Sequence, residues 1–272
     1  IVDLLNALYK VRFKINKNRN MIDIRLSDNL DLMEEMQDNT VDLIYCDILY
    51  GTGRKFADYQ DLKPKREIIE EHYIPRIKEM HRILKDTGSI YLQMDYRINH
   101  WIRLILDDVF GYDNMINEIV WCYTMPNNYR KAFNKKHDTI YSYSKSKEWT
   151  FNWKDVTVDY SESSKSRAKY AHSKTSQMGS NGSMLSKEGK LPEDYWVMPV
   201  VAGKERIGYN TQKPKALIER IIKASSNEGD LVADFYAGSF TTAEVCKDLN
   251  RNFIGCDISE KAVAIGLERT KY

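Results

Sequence analysis

The sequence has no apolar run approaching the roughly 20 residues that a membrane-spanning helix needs. Its first residues, IVDLLNALYK, lack a basic start followed by an apolar core and a small-residue cleavage site, so we expect no signal peptide. Of the 272 residues, 42% are hydrophobic, which is enough for a sizeable core, and 29% are charged. We therefore expect a soluble, cytoplasmic protein built as one large domain or as a domain carrying an insertion.

Cysteine is scarce. The four cysteines, Cys46, Cys122, Cys246 and Cys256, are far apart in sequence, and none forms a CxxC pair. Metal sites built on cysteine use closely spaced ligands, so we expect no metal site. Three cysteines lie in apolar runs that predict strands, and Cys246 lies in a run with helical spacing. Buried free thiols in a reducing compartment are the predicted state.

A large net charge is also missing, since 41 Lys and Arg oppose 39 Asp and Glu. The charges are nevertheless spread unevenly. The segment from Asn127 to Lys190 contains thirteen basic and six acidic residues, a local excess of +7, and the rest of the chain sums to −5. Such a segment indicates either a polyanionic partner or a solvated lysine-rich surface, and charge alone does not separate the two.

Short apolar runs alternate with stretches of helical spacing along most of the chain. VDLIYC is followed by a predicted helix from about Arg66 to Lys85, and LVADF is followed by TTAEVCKDLN. This alternation predicts an α/β fold with a mainly parallel sheet. From Ser161 to Lys190 the chain is rich in Ser, Lys and Gly, which predicts a loop or a mobile segment that a partner could order.

Four predicted strands end in an acid, namely Asp47, Asp95, Asp234 and Asp257. Each could be an ordinary N-cap for the helix that follows. Ligands of α/β proteins, however, bind at the carboxyl ends of the strands. Several acids at one edge of a sheet therefore favour a binding site there.

A small-residue turn around Gly238 follows Asp234, and the start of the next helix offers free N–H groups. Asp257 lies about twenty residues further on, where a carboxylate can bind the ribose hydroxyls of a nucleotide. The turn has neither the Gly-Lys-Ser/Thr ending of a phosphate-binding loop nor the three glycines of the dinucleotide pattern. The spacing therefore favours an adenosine-containing cofactor without a pyrophosphate, such as S-adenosylmethionine.

Several blocks resemble the motifs of DNA amino-methyltransferases. DFYAGSFTT is similar to their cofactor-binding loop, TQKPKALIERII to the Gln-Lys-Pro segment before it, and CDILYGTG to their Asp-Pro-Pro-Tyr catalytic segment. SDNLDLM, PRIKEMHRILKDTGSIYLQMD, VFGYDNMINEIVW and HDTIYSYSK also resemble family blocks. The catalytic segment precedes the cofactor loop, which is the β-class order found in restriction–modification systems. The resemblance covers nearly everything except Ser161 to Lys190.

The resemblance implies a Rossmann-like methyltransferase fold with a mainly parallel, circularly permuted seven-stranded sheet and an inserted target-recognition region. It divides the chain into a catalytic half at 1–150, a partly flexible target-recognition insertion at 151–205 and a cofactor-binding half at 206–272. It implies methyl transfer from S-adenosylmethionine to adenine N6 in a flipped-out base of double-stranded DNA. Cytosine-N4 methylation and a catalytically weak cofactor-binding partner subunit are the alternatives. A homodimer and a cognate restriction endonuclease are partners that the sequence leaves open.

The resemblance also assigns residues. Asp47, Ile48 and Tyr50 are the predicted catalytic residues: the Asp47 carboxylate and the Ile48 carbonyl accept the hydrogens of the target amino group, and Tyr50 offers an aromatic face to the flipped base. The predicted cofactor-binding residues are Asp28, Asp47, Ile48, Lys213, Asp234, Tyr236, Ala237, Gly238, Ser239, Thr241 and Asp257. The predicted DNA-binding residues are Arg54, Lys55, Tyr59, Asn127, Asn128, Arg130, Lys131, Lys135, Lys136, Lys165, Arg167 and Lys169.

Two of these assignments have alternatives. Asp28 could equally cap a helix beginning at Asn29, and Lys213 could be a solvated lysine before a helix. Asp at position 47, rather than Ser, favours adenine over cytosine N4, as the resemblance implies. No proline precedes a cysteine, so the Pro-Cys nucleophile of cytosine-C5 enzymes is excluded.

The sequence departs from the family motifs at five positions. Ile48 and Leu49 replace both prolines of the catalytic segment and Gly51 replaces Asn, while Phe235 and Phe240 replace Pro and Gly in the cofactor loop. Because the prolines restrict the loop without taking part in the chemistry, their loss should cost about 1 kcal/mol of preorganisation per position and leave the reaction intact. A phenylalanine adopts negative φ at low cost, so we expect φ < 0 at Phe240 and an altered loop shape.

Overall fold

The computed structural model describes residues 20–56, 59–124, 130–171 and 185–271, and everything below refers to those residues. The helices are α1 (Asn29–Glu34), α2 (Arg66–Ile83), α3 (Asn99–Phe110), α4 (Glu162–Ala171), α5 (Lys215–Ser225), α6 (Thr241–Asp248) and α7 (Glu260–Arg269). The strands are β1 (Ile22–Leu26), β2 (Val41–Asp47), β3 (Leu84–Met94), β4 (Met115–Cys122), β5 (His137–Ser144), β6 (Tyr195–Val197), β7 (Leu231–Asp234) and β8 (Asn252–Asp257).

The described strands form one eight-stranded sheet in the order β1-β8-β7-β2-β3-β5-β4-β6. The pairs β1–β8, β8–β7, β7–β2, β2–β3 and β4–β6 are parallel, and the pairs β3–β5 and β5–β4 are antiparallel. The predicted α/β class and mainly parallel sheet are confirmed. The sheet has one strand more than the seven expected, because β6 lies within the predicted insertion and pairs with β4.

Strand β2 lies in the middle of the sheet, between β7 and β3. Ile44 and Cys46 pack into a core formed with α1, α2 and α3, whereas Leu43 and Tyr45 pack into a second core formed with α5 and α6. Alternate residues of a strand point to opposite faces, so a strand covered on both sides must be apolar throughout. The continuous apolar run that predicts β2 is therefore explained by helices on both faces of the sheet.

Two predicted boundaries differ from the structure. Helix α2 ends at Ile83 and β3 begins at Leu84, within the stretch to Lys85 that was predicted to be helical. The segment predicted to be a loop from Ser161 to Lys190 contains helix α4, whose first turn is capped by the Ser161 hydroxyl, which accepts the Ser164 N–H at 3.2 Å. Residues 172–184, which include much of the segment predicted to be mobile, lie outside the described residues.

All four cysteines are free thiols, as predicted. Cys46, Cys246 and Cys256 are buried, but Cys122 is only partly buried, because β4 lies near the edge of the sheet, where only the short β6 lies beyond it. Among the described helices, none is both long and apolar enough to span a membrane.

The turn between β7 and α6, residues 235–240, ends at a phenylalanine in a left-handed conformation. Phe240 has φ 52° and ψ 34°, so the expected negative φ is wrong. Its ring is fully buried, lies edge-on to Phe253 with 6.3 Å between ring centroids, and covers Gly266 of α7. A left-handed residue costs roughly 1–2 kcal/mol, and burial of a large side chain offsets about that amount. The turn therefore keeps a backbone conformation that glycine adopts easily.

The contact between Phe240 and Gly266 can be tested by a double-mutant cycle. A Cβ added at Gly266 would lie 2.6 Å from the Phe240 ring, so we expect Gly266→Ala to lower the free energy of unfolding by about 1–3 kcal/mol. In a Phe240→Ala background the contacts with the ring are removed and only the Cβ of residue 240, at 3.0 Å, remains, so the same substitution should cost less. Urea unfolding of the four proteins measures both values. Equal costs in the two backgrounds would show that Gly266 is not needed to admit the ring.

Candidate active site

A cavity opens at the carboxyl ends of β1, β2, β7 and β8, the edge at which α/β sheets bind ligands. Three of the four predicted strand-end acids line it: Asp47, Asp234 and Asp257. The fourth, Asp95, is not part of the lining and instead accepts the Arg97 N–H at 2.9 Å. Parallel strands thus bring acids that are far apart in sequence to one place.

Every predicted cofactor-binding residue lines this cavity: Asp28, Asp47, Ile48, Lys213, Asp234, Tyr236, Ala237, Gly238, Ser239, Thr241 and Asp257. The third predicted catalytic residue, Tyr50, lines it as well, as does Tyr59, which was predicted to contact DNA. Arg54 and Lys55 follow the same strand but are exposed and lie outside the lining.

The other predicted DNA-binding residues lie on two further segments. One is the basic loop, residues 130–136 between β4 and β5, which carries exposed Arg130, Lys131 and Lys135 and partly buried Lys136. The other is α4, which carries Lys165, Arg167 and Lys169. Asn127 and Asn128 lie outside the described residues. The structure therefore brings the predicted cofactor residues together but distributes the predicted DNA contacts over separate segments.

Asp47 is the last residue of β2 and is paired in register with Gln93 of β3. Its Oδ1 accepts a hydrogen bond from the Tyr50 hydroxyl at 2.7 Å, and its Oδ2 forms an ion pair with the Lys213 ammonium. Burial raises the pKa of Asp47 above its ordinary value, and the Lys213 charge offsets only part of that effect. Lys213 is therefore a partner of the carboxylate rather than a solvated lysine.

Asp138, which sequence reasoning did not single out, also contacts Tyr50. The Tyr50 hydroxyl lies 2.6 Å from Asp138 Oδ2, and Gln93 Nε2 donates to the same oxygen at 2.8 Å. Asp138 is the second residue of β5 and is buried. Because β5 runs antiparallel to β3, its start lies at the edge where the parallel strands end. No pattern in the sequence indicates this reversal of direction, so sequence reasoning missed Asp138.

The two residues that replace the family prolines are held by contacts from other elements. The Ile48 N–H donates to the Gln93 carbonyl at 3.0 Å, which a proline at position 48 could not do. The Leu49 carbonyl accepts from the Tyr73 hydroxyl of α2 at 3.0 Å. These two bonds flank the Ile48 carbonyl and fix its peptide plane without proline.

Asp61 fixes the segment that follows Tyr50. Its carboxylate accepts the backbone N–H groups of Gly51 at 3.1 Å and Thr52 at 2.7 Å, the Thr52 hydroxyl, and the N–H of Leu62 at 2.8 Å. The residue is 3% exposed, so these bonds replace almost all of its hydration. Sequence reasoning missed Asp61, since nothing in the polar run from Gly51 to Pro64 distinguishes this acid from its neighbours.

The turn after β7 is held by the acids on either side of it. Asp257 Oδ2 accepts the Gly238 N–H at 3.0 Å, at a position where φ is +50°. Asp234 accepts the Thr242 hydroxyl at 2.6 Å and the Tyr236 N–H at 3.1 Å. Burial raises the pKa of Asp234 to about 7 despite these bonds. The two acids therefore shape the turn through its own backbone.

Asp28 occupies a position that allows both of the roles considered for it, the N-cap of α1 and a place in the cavity lining. It caps α1 by accepting the Leu30 N–H at 2.8 Å, and it also lines the cavity, where Arg76 of α2 approaches it at 3.2 Å. His72, one turn earlier on α2, contacts the Tyr236 hydroxyl at 3.0 Å. Burial lowers the pKa of His72 to about 4, so this ring is neutral at neutral pH.

The charges of the described lining favour a cationic ligand. Five aspartates line the cavity, Asp28, Asp47, Asp61, Asp234 and Asp257, against two cations, Lys213 and Arg76. Each cation is already paired with an aspartate of the lining. A pyrophosphate needs unpaired cations or several converging N–H groups, so these residues suit a positively charged adenosine compound better. Among the described residues, no three His, Cys, Asp or Glu side chains gather as a metal site requires.

An acidic cavity at the strand ends of an α/β sheet, with a glycine turn and an acid about twenty residues further on, is typical of a protein that binds a nucleoside-containing cofactor. Comparison with known families is more specific. The chain belongs to the N6/N4 family of DNA methylases, whose sequence model matches residues 41–268.

Characterised relatives cover most of the chain. It is 32% identical over 247 residues to the type II methyltransferase M.HpaI of Haemophilus parainfluenzae, covering 89% of this chain and 72% of the relative. It is 32% identical over 246 residues to the DNA adenine methyltransferase YhdJ of Escherichia coli, covering 89% and 80%. It is 31% identical over 242 residues to the type II methyltransferase M1.MboII of Moraxella bovis, covering 86% and 90%.

Solved structures share the fold. The M1.HpyAVI–SAM complex superposes with a TM-score of 0.64 at 21% identity, covering 93% of this chain and all of the other. PvuII DNA methyltransferase, which is cytosine-N4-specific, superposes with a TM-score of 0.67 at 15% identity, covering 94% and 91%. The predicted Rossmann-like methyltransferase fold is confirmed.

The Asp61 contacts give a stability prediction. Asp61→Ala leaves one buried and two partly buried backbone N–H groups without their acceptor, so we expect the free energy of unfolding to fall by about 2–3 kcal/mol. Urea unfolding measures the change. Asp108→Ala removes an exposed aspartate of α3 and should change stability by less than about 0.5 kcal/mol. If the two variants unfold at the same urea concentration, Asp61 does not hold the segment.

Proposed function

We propose that the protein transfers a methyl group from S-adenosylmethionine to N6 of a specific adenine in double-stranded DNA. Its membership of the N6/N4 family of DNA methylases fixes the general reaction. The observation that carries the finer proposal is Asp47, a partly buried carboxylate that ends a parallel strand beside Tyr50 in the cavity. The other residues of the site act on this group or on the backbone next to it.

An exocyclic amino group of a base is a poor nucleophile, because its lone pair is delocalised into the ring. Asp47 Oδ1 and the Ile48 carbonyl are two neighbouring acceptors, and hydrogen bonds to both would draw the nitrogen toward tetrahedral geometry. Tyr50 would stack on the base after it leaves the duplex. The chemistry needs alignment more than acid–base strength, so fixed backbone and side-chain positions supply most of the rate.

The lining residues fit S-adenosylmethionine. Asp257 is spaced to bind the ribose hydroxyls, Gly238 lets the backbone approach the ligand, and Tyr236 and Ala237 would lie along the methionine part. Asp28, Asp47, Ile48, Lys213, Asp234, Ser239 and Thr241 complete the proposed set. When bound, the cofactor supplies a methyl group on a positively charged sulfur. The carboxylates of Asp28 and Asp257 in the cavity lining would stabilise such a cation.

Loss of the two family prolines is compatible with activity. The bonds of Ile48 to Gln93 and of Leu49 to Tyr73 hold the segment that prolines restrict elsewhere. Asp61 holds the residues that follow. These contacts argue against the alternative of a catalytically weak, cofactor-binding partner subunit.

Adenine is favoured over cytosine by two considerations. Asp rather than Ser stands at position 47, and one relative at 32% identity is named a DNA adenine methyltransferase. Cytosine N4 is the second candidate, since the target atom is also an exocyclic amine and needs the same pair of acceptors.

DNA contacts are proposed for three regions. The basic loop ends two residues before Asp138, which touches Tyr50, and we propose that its positive charges contact the DNA beside the target base. Arg54, Lys55 and Tyr59 follow Tyr50, and Lys165, Arg167 and Lys169 lie on α4. Lys and Arg neutralise phosphates, and Asn127 and Asn128 are proposed to read base edges.

The proposed division of labour follows the chain: catalytic residues at 1–150, target recognition at 151–205 and cofactor binding at 206–272. Strand β6 belongs to the middle stretch but extends the sheet, so recognition would be built partly on the core fold. Two of the relatives above are type II methyltransferases, which favours a restriction–modification role in the cytoplasm with a cognate endonuclease. A homodimer is proposed from the family resemblance.

Methyl transfer to DNA tests the proposal directly. Purified protein, labelled S-adenosylmethionine and unmethylated DNA should give labelled N6-methyladenine on nucleoside analysis by mass spectrometry. Asp47→Asn should lower the rate at least about a hundredfold, because the carboxylate acceptor is lost while the shape is kept. Asp42→Asn, at the other end of β2, should retain activity. Labelled N4-methylcytosine would identify the second candidate, and no incorporation by the wild type would refute both.

DNA binding tests the role of the basic loop. Replacing Lys131 and Lys135 together by alanine should weaken binding and reduce the slope of log Kd against log salt concentration by about 2, since each phosphate contact contributes roughly 0.9. Replacing the exposed Lys78 and Lys271 should leave the slope unchanged. Fluorescence anisotropy with a labelled duplex measures both. Equal slopes for the two double variants would remove the loop from the interface.

A further inference from the structure

One hydroxyl group lies between two carboxylates in this site. The Tyr50 hydroxyl is 2.7 Å from Asp47 Oδ1 and 2.6 Å from Asp138 Oδ2. A phenol has one proton and can donate only one such hydrogen bond at a time. The two carboxylates are therefore alternative acceptors for the same donor, and both are within reach without movement of the ring.

Asp138 has other donors that hold its carboxylate in place. Gln93 Nε2 donates to Oδ2 at 2.8 Å and the Tyr123 hydroxyl donates to Oδ1 at 3.2 Å. Gln93 is itself oriented, because its Oε1 accepts the Tyr45 hydroxyl at 2.8 Å. Asp138 is only 2% exposed, so this network substitutes for water around it.

Asp47, by contrast, has both carboxylate oxygens occupied. Lys213 takes Oδ2 and Tyr50 takes Oδ1. Each carboxylate oxygen can accept a second hydrogen bond, as Asp138 Oδ2 does, but a target amino group that donates to Asp47 would share its acceptor with Lys213 or Tyr50 and be held more weakly. Displacing Lys213 would break an ion pair in a partly buried site, which is expensive. Displacing the Tyr50 hydroxyl costs little free energy if that hydroxyl has another acceptor.

We propose that Asp138 is a positioning residue that accepts the Tyr50 hydroxyl when the target amino group binds Asp47. The inference rests on the proposed methyl transfer to DNA. Rotation of one O–H bond moves the hydrogen bond from Asp47 Oδ1 to Asp138 Oδ2 and frees Oδ1 for the incoming N–H. The aromatic ring stays where it can stack on the base. Asp138 thus acts through Tyr50 and does not itself touch the substrate.

A double-mutant cycle separates this role from a structural one. Asp138→Asn keeps the shape but weakens the alternative acceptor, so Tyr50 remains on Asp47 and competes with the target amino group. We expect kcat for methyl transfer to fall about tenfold, with the anisotropy Kd for duplex DNA unchanged. In a Tyr50→Phe background no hydroxyl competes, and Asp138→Asn should have almost no further effect on kcat.

A matched control exists elsewhere on β5. The Tyr143 hydroxyl donates to Asp107 Oδ1 at 2.6 Å, away from the cavity lining. Asp107→Asn removes a similar tyrosine–carboxylate bond, and its kcat should equal that of the wild type. Urea unfolding of both Asn variants reports any loss of folding.

The outcomes are distinct. A wild-type kcat in Asp138→Asn, or an equal loss of kcat in the Tyr50→Phe background, overturns the positioning role while leaving the proposed function intact. A wild-type protein that transfers no methyl group to DNA overturns the proposed function and this inference with it. A loss of kcat that disappears in the Tyr50→Phe background supports the role.

Discussion

A carboxylate held partly out of water is the constraint on which the rest of this site depends. Asp47 ends the central strand β2, and its side chain is 17% exposed. Desolvation works against its charge, so the surroundings must supply donors in place of water. Lys213 comes from the segment before α5 and Tyr50 from the segment after β2. The packing of the sheet brings both donors to Asp47, where they replace the water that the carboxylate has lost.

The need for hydrogen-bond donors in place of water extends from Asp47 to the residues around it. Tyr50 brings Asp138 close, Asp138 needs Gln93 and Tyr123, and Gln93 is oriented by Tyr45. Each added acid requires donors of its own, because an unsatisfied polar group in such surroundings costs more than a hydrogen bond normally contributes. Buried polar residues at the ends of β2, β3 and β5 are therefore part of one electrostatic arrangement.

Features that depend on local pattern were predictable from the sequence. The apolar run of β2 predicts a strand covered on both faces, and Asp47, Asp234 and Asp257 are predicted at one edge because parallel strands end together. Features that depend on how distant segments meet were not. Asp138 reaches the site only because β5 reverses direction, and Asp61 looks like any acid in a polar loop. Likewise, β6 is three residues long, too short to produce a recognisable period.

Phe240 shows that intrinsic backbone preference alone does not predict a residue's φ. Its position also bears on the order in which the turn and α7 become available during synthesis. Intrinsic preference favours negative φ, but tertiary packing against Phe253 and Gly266 prevails. The surface that this ring covers belongs to α7, the last helix described. During synthesis, a nascent chain that has emerged only as far as α6 contains every residue of the turn but not the helix that stabilises its left-handed phenylalanine. The cavity wall at Gly238 can therefore reach its final shape only after α7 has been synthesised, when the residues of every described strand are already available.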